Sequence, residues 1–211
     1  PILLGPIDKV HSRAEAAGIP LDGIEVHGNV EGPDFDALAT ALWELRKRKG
    51  STPEAARALL RDGSYYGAMM LHAGLADGMV GGIGRPFKHT LRPALRVLGM
   101  GSAHRIVSGV YAMIFEDKKL FFGDCTVNID PSAEELAAIA LNTAEIAARF
   151  GTTPRVAMLS YSDFGEHDRH ERVSRVRKAV DIVRAERPDL EIDGEMQADT
   201  AVDWAKLSGS F

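Results

Sequence analysis

A glycine-rich segment from Gly81 to Gly84 is the part of the sequence best suited to hold a phosphorylated ligand. Glycines adopt positive φ angles without strain, so successive backbone N–H groups can point toward one anion. The apolar run Gly78–Val80 before it predicts a strand, and a helix is predicted to begin near Thr90. Thr90 is expected to cap that helix, whose N-terminus carries partial positive charge, and Arg92 adds formal charge nearby.

The type of phosphate site stays open at this point. The segment is not a dinucleotide fingerprint, because Phe87 stands where the third glycine of G-x-G-x-x-G belongs. It is not a Walker loop either, since no Gly-Lys-Ser/Thr follows the turn. A plain glycine turn with solvated basic side chains is the alternative interpretation.

A second cationic cluster, Arg46 to Lys49, ends a predicted helix over residues 34–49. Cations suit the C-terminal end of a helix dipole, so a solvated last turn explains the cluster without any ligand. Arginine is also the side chain that best matches phosphate oxygens, and a coenzyme rich in phosphate is the functional alternative. From the residues alone, the solvated turn is the better explanation of Arg46.

Hydroxyl side chains follow the predicted strand Val156–Tyr161, in the order Ser160, Tyr161 and Ser162. Ligands of open α/β sheets bind outside the carboxyl ends of the strands, so these hydroxyls are candidate ligand contacts. They do not form a nucleophile elbow, because the pattern G-x-S-x-G is absent.

Two other groups of reactive side chains predict little chemistry. Cys125 lies between Asp124 and Asn128 with no base nearby, so a buried structural cysteine is the expectation. The cluster His167, Asp168, His170 and Glu171 matches no standard zinc spacing. No metal is therefore expected.

The elements that position these residues alternate between short apolar strands and amphipathic helices. The remaining predicted strands are 2–4, 24–27, 106–115, 119–122 and 190–193, and the remaining predicted helices are 52–73, 131–150 and 170–187. Alternation of this kind predicts an α/β fold with a mostly parallel sheet and flanking helices. An expected hairpin at residues 106–123 interrupts it, which suggests two α/β subdomains, 1–104 and 105–211.

Composition and charge narrow the function class. The 211 residues carry a net charge of −5, which argues against a nucleic-acid-binding protein that acts through bulk charge. One cysteine fits a reducing compartment, and the expectation is a cytoplasmic protein without a membrane segment or signal peptide. The chain starts at Pro1 without an initiator Met, inside a predicted strand, so a fragment or excised domain is expected.

Six stretches, taken in order, resemble the phosphate acetyl/butyryltransferase family. They are LWELRKRKG (42–50), ADGMVGG (76–82), TLRPAL (90–95), FGDCTVNIDPSAEELAAIA (122–140), PRVAMLSYS (154–162) and RPDLEIDGEMQAD (187–199). The resemblance covers nearly the whole chain, and its strength lies in six stretches in register. It implies a two-domain α/β fold similar to that of isocitrate and isopropylmalate dehydrogenases, truncated here at both ends, in a homodimer or higher homo-oligomer.

The family transfers an acyl group between coenzyme A and phosphate, so the resemblance implies acetyl-CoA or coenzyme A as a ligand and no covalent cofactor. It implies that Arg46 and Arg92 contact the coenzyme. The implied binding set comprises Arg46, Gly81, Gly82, Thr90, Arg92, Ser160, Tyr161 and Ser162. The family's catalytic segment would follow Phe211.

Two differences from the family's usual sequence favour one branch of the family. Asp163-Phe164-Gly165 replaces the usual Ser/Thr/Gly-rich loop, and DGEMQAD (193–199) is similar to the transferase-like domain of hybrid NADP-dependent malic enzymes. The leading hypothesis is therefore a regulatory acyl-CoA-binding domain linked to a malic-enzyme half. The alternatives are a catalytic phosphate acetyltransferase and a non-catalytic dimerisation module.

Overall fold

The computed structural model describes residues 1–28, 32, 34–100, 106–165 and 170–203. The chain divides into two compact units, Pro1–Gly99 and Met100–Phe211. The boundary expected after residue 104 stays a prediction, because residues 101–105 lie outside the described ranges.

The first unit contains two short strands and five α-helices among its described residues. They are β1 (Ile2–Leu4), α1 (Ile7–Ala16), β2 (Glu25–His27), α2 (Phe35–Arg46), α3 (Pro53–Leu60), α4 (Gly63–His72) and α5 (Lys88–Val97). A 3-10 turn, Lys47–Lys49, extends α2. β1 and β2 pair in parallel, and Leu3 lies opposite Val26.

Helix α4 is the centre of the first unit. Seven consecutive residues, from Ser64 to Met70, are buried, which fits a helix that is apolar on all sides. Gly67 permits a close approach, because a Cβ there would lie 2.7 Å from Met79 Sδ and 3.2 Å from Leu4 Cδ1. The core of this unit therefore reaches the segment that leads into the glycine turn.

The second unit contains a hairpin, a parallel strand pair and three helices among its described residues. They are β3 (Val110–Ile114), β4 (Lys119–Gly123), α6 (Ala133–Arg149), β5 (Arg155–Leu159), α7 (Glu171–Glu186), β6 (Glu191–Met196) and α8 (Ala198–Val202). β3 and β4 are antiparallel, which confirms the predicted hairpin. β5 and β6 are parallel, with a register irregularity at Met158/Leu159.

Small residues bring α6 and α7 close to the parallel strands. Ala137, Ala140 and Ala144 of α6 are buried in one core cluster with Val180 and Ile192. A capping box opens α6: Glu135 N–H donates to Ser132 Oγ at 3.2 Å, and Ser132 N–H donates to Glu135 Oε2 at 2.8 Å. This cap fixes where the longest helix begins.

Three expectations about the elements are corrected. Gly78–Val80 is not a strand, because no described strand pairs with it and Met79 packs on α4 instead. Thr90 is not the cap of α5, since the helix begins at Lys88 and Thr90 lies in its first turn. The described strands form three separate two-stranded sheets, two parallel and one antiparallel, rather than one mostly parallel sheet.

None of the helices in the described part of the chain combines the length and apolar character that crossing a bilayer requires.

Candidate functional site

The glycine turn lies on the surface of the first unit. Arg85 N–H donates to Gly82 O at 3.1 Å, which closes a four-residue turn. Gly82 has a φ of +106° and Gly84 a φ of +72°, so both glycines use backbone conformations that other residues rarely adopt. The turn exposes Ile83 almost completely, at 98%. Its shape therefore depends on glycine rather than on packing.

Thr90 lies beside this turn. A Cβ at Gly82 would lie 3.4 Å from Thr90 Oγ1, so the hydroxyl faces the backbone of the turn. That oxygen is buried and has no hydrogen-bond partner within the described ranges. A buried hydroxyl without a partner costs roughly 1–3 kcal/mol, and a ligand oxygen at this point would remove that cost.

The first turn of α5 has an unusual charge pattern. Lys88 and His89 open the helix, and its first turn holds no acidic residue. Cations at a helix N-terminus oppose the helix dipole, whereas an anion there is stabilised. Arg85 is already engaged, because its Nη1 donates to Asp62 Oδ2 at 2.7 Å. The pattern favours a bound anion over a solvated helix end.

Arg92 lies on α5, and Arg46 reaches the same helix from the end of α2. Arg92 is exposed and forms no ion pair within the described residues, and Arg96 follows it one turn later on α5. Arg46 Nη1 donates to Arg96 O at 3.4 Å, and Arg96 Nη1 donates to Tyr65 Oη at 2.8 Å. Arg46, predicted from sequence to lie in a solvated turn, is therefore bound to the end of α5.

The structure does not bring all of the predicted contacts of this unit to one face. Thr90 and Arg92 are two residues apart, which corresponds to about 200° around an α-helix. Thr90 faces Gly82, whereas Arg92 shares its face with Arg96. The hydroxyl and the guanidinium thus mark two sides of α5.

The second unit contributes the loop Ser160–Gly165, which follows β5. Ser160 N–H donates to Met196 O at 2.9 Å, so the loop starts against the end of β6. Tyr161 is half exposed, and its ring meets that of His170 edge-on at a centroid distance of 5.6 Å. Ser162 is fully buried, and its Oγ lies 3.4 Å from Glu195 Oε1. Of the three predicted hydroxyl residues, Ser162 thus faces inward.

Glu195 is the centre of this inward side. Its side chain has no exposed surface, and its Oε2 accepts from Arg177 Nε at 2.5 Å. Its Oε1 accepts from Gly165 N–H at 2.7 Å, and its backbone oxygen accepts from Phe164 N–H at 3.0 Å. Burial acts to raise the pKa of Glu195, but the bonds from Arg177 and Gly165 outweigh it, so the pKa lies below its usual value.

A second carboxylate holds the same loop from its outer side. Asp163 accepts from Gln197 N–H and from Gln197 Nε2, both at 2.8 Å. These hydrogen bonds lower the pKa of Asp163, and the bond from the backbone N–H of Gln197 contributes most. The loop is thereby attached to the segment between β6 and α8 on both sides.

The hairpin end in this unit is held by Asp124, which has a φ of +44°. Its carboxylate accepts from Val127 N–H and Asn128 N–H, each at 2.9 Å, and Asn128 Nδ2 donates to Val107 O at 3.0 Å. The expectation that Cys125 is buried is wrong: the thiol is exposed, because Asp124 takes the inner position of the turn.

The cluster His167, Asp168, His170 and Glu171, for which no metal was expected, lies only partly within the described residues. His167 and Asp168 lie outside the described residues, whereas His170 Nδ1 accepts from Arg172 N–H and caps α7. No group of three metal-ligating side chains occurs within the described ranges.

Sequence reasoning missed Glu195 and Arg177. In the sequence, Glu195 stands out only within DGEMQAD (193–199), and Arg177 is only one residue of the predicted helix 170–187. A signal was present in the strand itself, since an acidic residue between Ile192 and Met196 needs a partner if it is buried. The partner on α7 is visible only in the folded chain.

These observations define a class of protein: an α/β protein with polar loops at a glycine turn and at the ends of its parallel strands. A family model described as phosphate acetyl/butaryl transferase matches residues 1–207, so the chain belongs to this family. The resemblance seen in six sequence stretches is thereby confirmed.

Relatives and solved structures agree with the family. A phosphate acetyltransferase of Nitratidesulfovibrio vulgaris is 41% identical over 99% of this chain and 30% of its own length. One of Thermoanaerobacterium thermosaccharolyticum is 39% identical over 95% of this chain and 62% of its own. The crystal structure of a phosphotransacetylase from Streptococcus pyogenes covers 99% of this chain and 63% of that one, with a TM-score of 0.86 and 39% identity. The chain thus spans about a third to two thirds of these relatives.

These names change the balance between the hypotheses. They are the names of phosphate acetyltransferases, and they support the transferase alternative rather than a regulatory domain of a malic enzyme. The similarity of DGEMQAD and of the Asp163–Gly165 loop to the malic-enzyme branch therefore finds no support in the relatives.

Proposed function

We propose that this chain is part of a phosphate acetyltransferase that interconverts acetyl-CoA plus phosphate with acetyl phosphate plus coenzyme A. The family match and the relatives' names support this reaction class. One structural observation carries the anion site: the buried, unpartnered hydroxyl of Thr90 beside the positive-φ turn at Gly82. An anionic substrate group would give this hydroxyl an acceptor and the cationic first turn of α5 a counter-charge.

The reaction transfers an acyl group without a redox step. A phosphate oxygen attacks the thioester carbonyl carbon, the tetrahedral intermediate collapses, the C–S bond breaks, and the coenzyme thiolate leaves and takes up a proton. Donors aimed at the developing oxyanion would lower the barrier. In our proposal Arg46 and Arg92 hold phosphate groups of coenzyme A, and Gly81, Gly82 and Thr90 line the anion site.

The loop of the second unit belongs to the same proposal. Ser160, Tyr161 and Ser162 follow a parallel strand at its carboxyl end, where α/β proteins bind ligands. A homodimer and a fold similar to that of isocitrate dehydrogenase are further parts of the proposal. The molecular mass measured by light scattering would test the dimer.

The activity is tested by mixing the intact protein with acetyl-CoA and phosphate. We expect the release of coenzyme thiol and the formation of acetyl phosphate in equal amounts. Thiol release without acetyl phosphate would indicate simple hydrolysis and would contradict the proposal.

The coenzyme contacts are tested by calorimetric titration with acetyl-CoA. We expect Arg92→Ala to weaken binding about tenfold, because one charge-assisted contact is lost, and Arg46→Ala to weaken it several-fold. Arg13→Ala, which removes an exposed arginine of α1, is the matched control and should bind like the wild type. Equal affinity in all three variants would reject these two residues as contacts.

A further inference from the structure

Hydrogen bonds hold the loop Ser160–Gly165 along most of its length. Bonds to the segment Glu195–Gln197 are made by Ser160, Ser162, Asp163, Phe164 and Gly165. The partners are the backbone oxygens of Glu195 and Met196, the carboxylate of Glu195 and the amide groups of Gln197.

The buried carboxylate carries the inner half of these contacts. Glu195 has no exposed surface, and desolvating a carboxylate is costly unless hydrogen bonds and an opposite charge compensate. Arg177 supplies the charge from α7 through its Nε, and its Nη2 lies 3.4 Å from Oε1. Ser162 and Gly165 supply the remaining donors from the loop.

We infer that Glu195 is a positioning residue, which with Arg177 and the inward hydroxyl of Ser162 fixes the loop so that Ser160 and Tyr161 face the acyl-CoA ligand. This inference rests on the proposed function. It also assigns Ser162 a role different from that of its two neighbours, since its oxygen is buried against Glu195. The set Glu195, Arg177 and Ser162 is called the loop clamp below.

The same strand offers a matched control. Asp193 lies two residues before Glu195 on β6, and its Oδ1 accepts from Arg184 Nη2 of α7 at 2.9 Å. Both pairs therefore link a β6 carboxylate to an α7 arginine. Asp193 is exposed and makes no described contact with the loop. Asp193→Asn and Glu195→Gln thus remove the same charge from the same strand, and only the second touches the clamp.

The first measurement is amide hydrogen exchange, which does not depend on activity. Replacing a charged acceptor by a neutral one weakens a hydrogen bond by about 1 kcal/mol, so Glu195→Gln should speed exchange at Gly165 about fivefold. Asp193→Asn should leave that rate unchanged. Equal rates in the two variants would overturn the clamp whether or not the protein is a transferase.

The second measurement separates positioning from stability. We expect Glu195→Gln to raise the KM for acetyl-CoA about fivefold while Asp193→Asn leaves it unchanged. A merely structural residue would reduce the amount of folded enzyme and lower the apparent kcat without moving KM. That result would overturn the inference, whereas a wild-type protein without any transferase activity would instead reject the proposed function.

A milder variant keeps the test open if Glu195→Gln does not fold. Ser162→Ala retains the ion pair and removes one donor to it. It should raise both the exchange rate at Gly165 and the KM for acetyl-CoA about twofold, in the same direction as Glu195→Gln. An unchanged exchange rate together with an unchanged KM would overturn the part of Ser162 in the clamp.

Discussion

The glycine turn of the first unit and the loop Ser160–Gly165 of the second are built in opposite ways. The turn at Gly81–Gly84 is exposed, is closed by one backbone hydrogen bond and depends on positive φ at two glycines. The second loop is attached to β6 and the start of α8 by a buried carboxylate inside and an aspartate outside.

The difference shows two routes to a defined loop. In the turn, glycine permits positive φ angles that other residues rarely adopt. Backbone N–H groups in such a conformation can point toward an anion. The loop clamp holds the second loop through the buried carboxylate of Glu195. The inward groups of the loop bond to this carboxylate, and its outward groups are left for a ligand. A change in backbone chemistry should therefore disturb the first loop most, and a change in charge or in β6 should disturb the second.

The largest effect is expected from Gly194→Ala, beneath the second loop. Gly194 has a φ of +137°, and a Cβ there would lie 2.5 Å from Met158 O, so β6 would be forced away from β5. We expect a loss of about 3 kcal/mol in the free energy of unfolding, from strain and steric overlap together. Urea unfolding followed by circular dichroism measures it.

Gly151→Ala is the control for this prediction. Gly151 also has a positive φ, +73°, but nothing lies within 4 Å of a Cβ at this position. It should cost only about 1 kcal/mol, which is the strain of a left-handed residue alone. Equal losses in the two variants would show that the contact with Met158 contributes nothing.

An intermediate effect is expected in the glycine turn. Gly82→Ala should weaken acetyl-CoA binding about tenfold, because its φ of +106° lies outside the left-handed helical region that alanine can reach. Gly84→Ala, at +72°, should weaken binding at most about threefold. Titration calorimetry checks both values, and the loss in the free energy of unfolding should be larger for Gly82→Ala than for Gly84→Ala, for which it should be about 1 kcal/mol as at Gly151. A greater loss of affinity in Gly84→Ala would reverse our interpretation of the turn.

The smallest effect is expected from acid on the second loop. Both Asp163 and Glu195 have lowered pKa values in the fold, so their contribution to stability is fully present above the unfolded values and is lost as the pH falls through the folded ones. The amide signals of Gly165 and Gln197 in NMR spectra should therefore titrate below about pH 4.3 and about pH 3.9, the ordinary values of Glu and Asp.

In Glu195→Gln the titration at Gly165 should disappear while that at Gln197 persists. A midpoint above the ordinary value at Gly165 would contradict the ion pair with Arg177 as the dominant influence on Glu195.

The sequence by itself predicted most elements and the family. The helices at residues 34–49 and 131–150 and the hairpin were predicted because local patterns determine them. The sequence did not predict α1, because this short helix has no buried residue and therefore no strong apolar pattern. The strand predicted at Gly78–Val80 was wrong because an apolar run does not reveal whether a partner strand exists.

Only the tertiary structure decided the polar contacts of the site. In the fold, Arg46 donates to the end of α5 and Thr90 faces Gly82. Glu195 of β6 pairs with Arg177 of α7. Spacing in the chain cannot predict such pairs, because they depend on which faces of two elements meet after packing. The glycine turn itself was visible from residue types, since positive φ is a local property of glycine. Which charged groups surround it is a property of the fold.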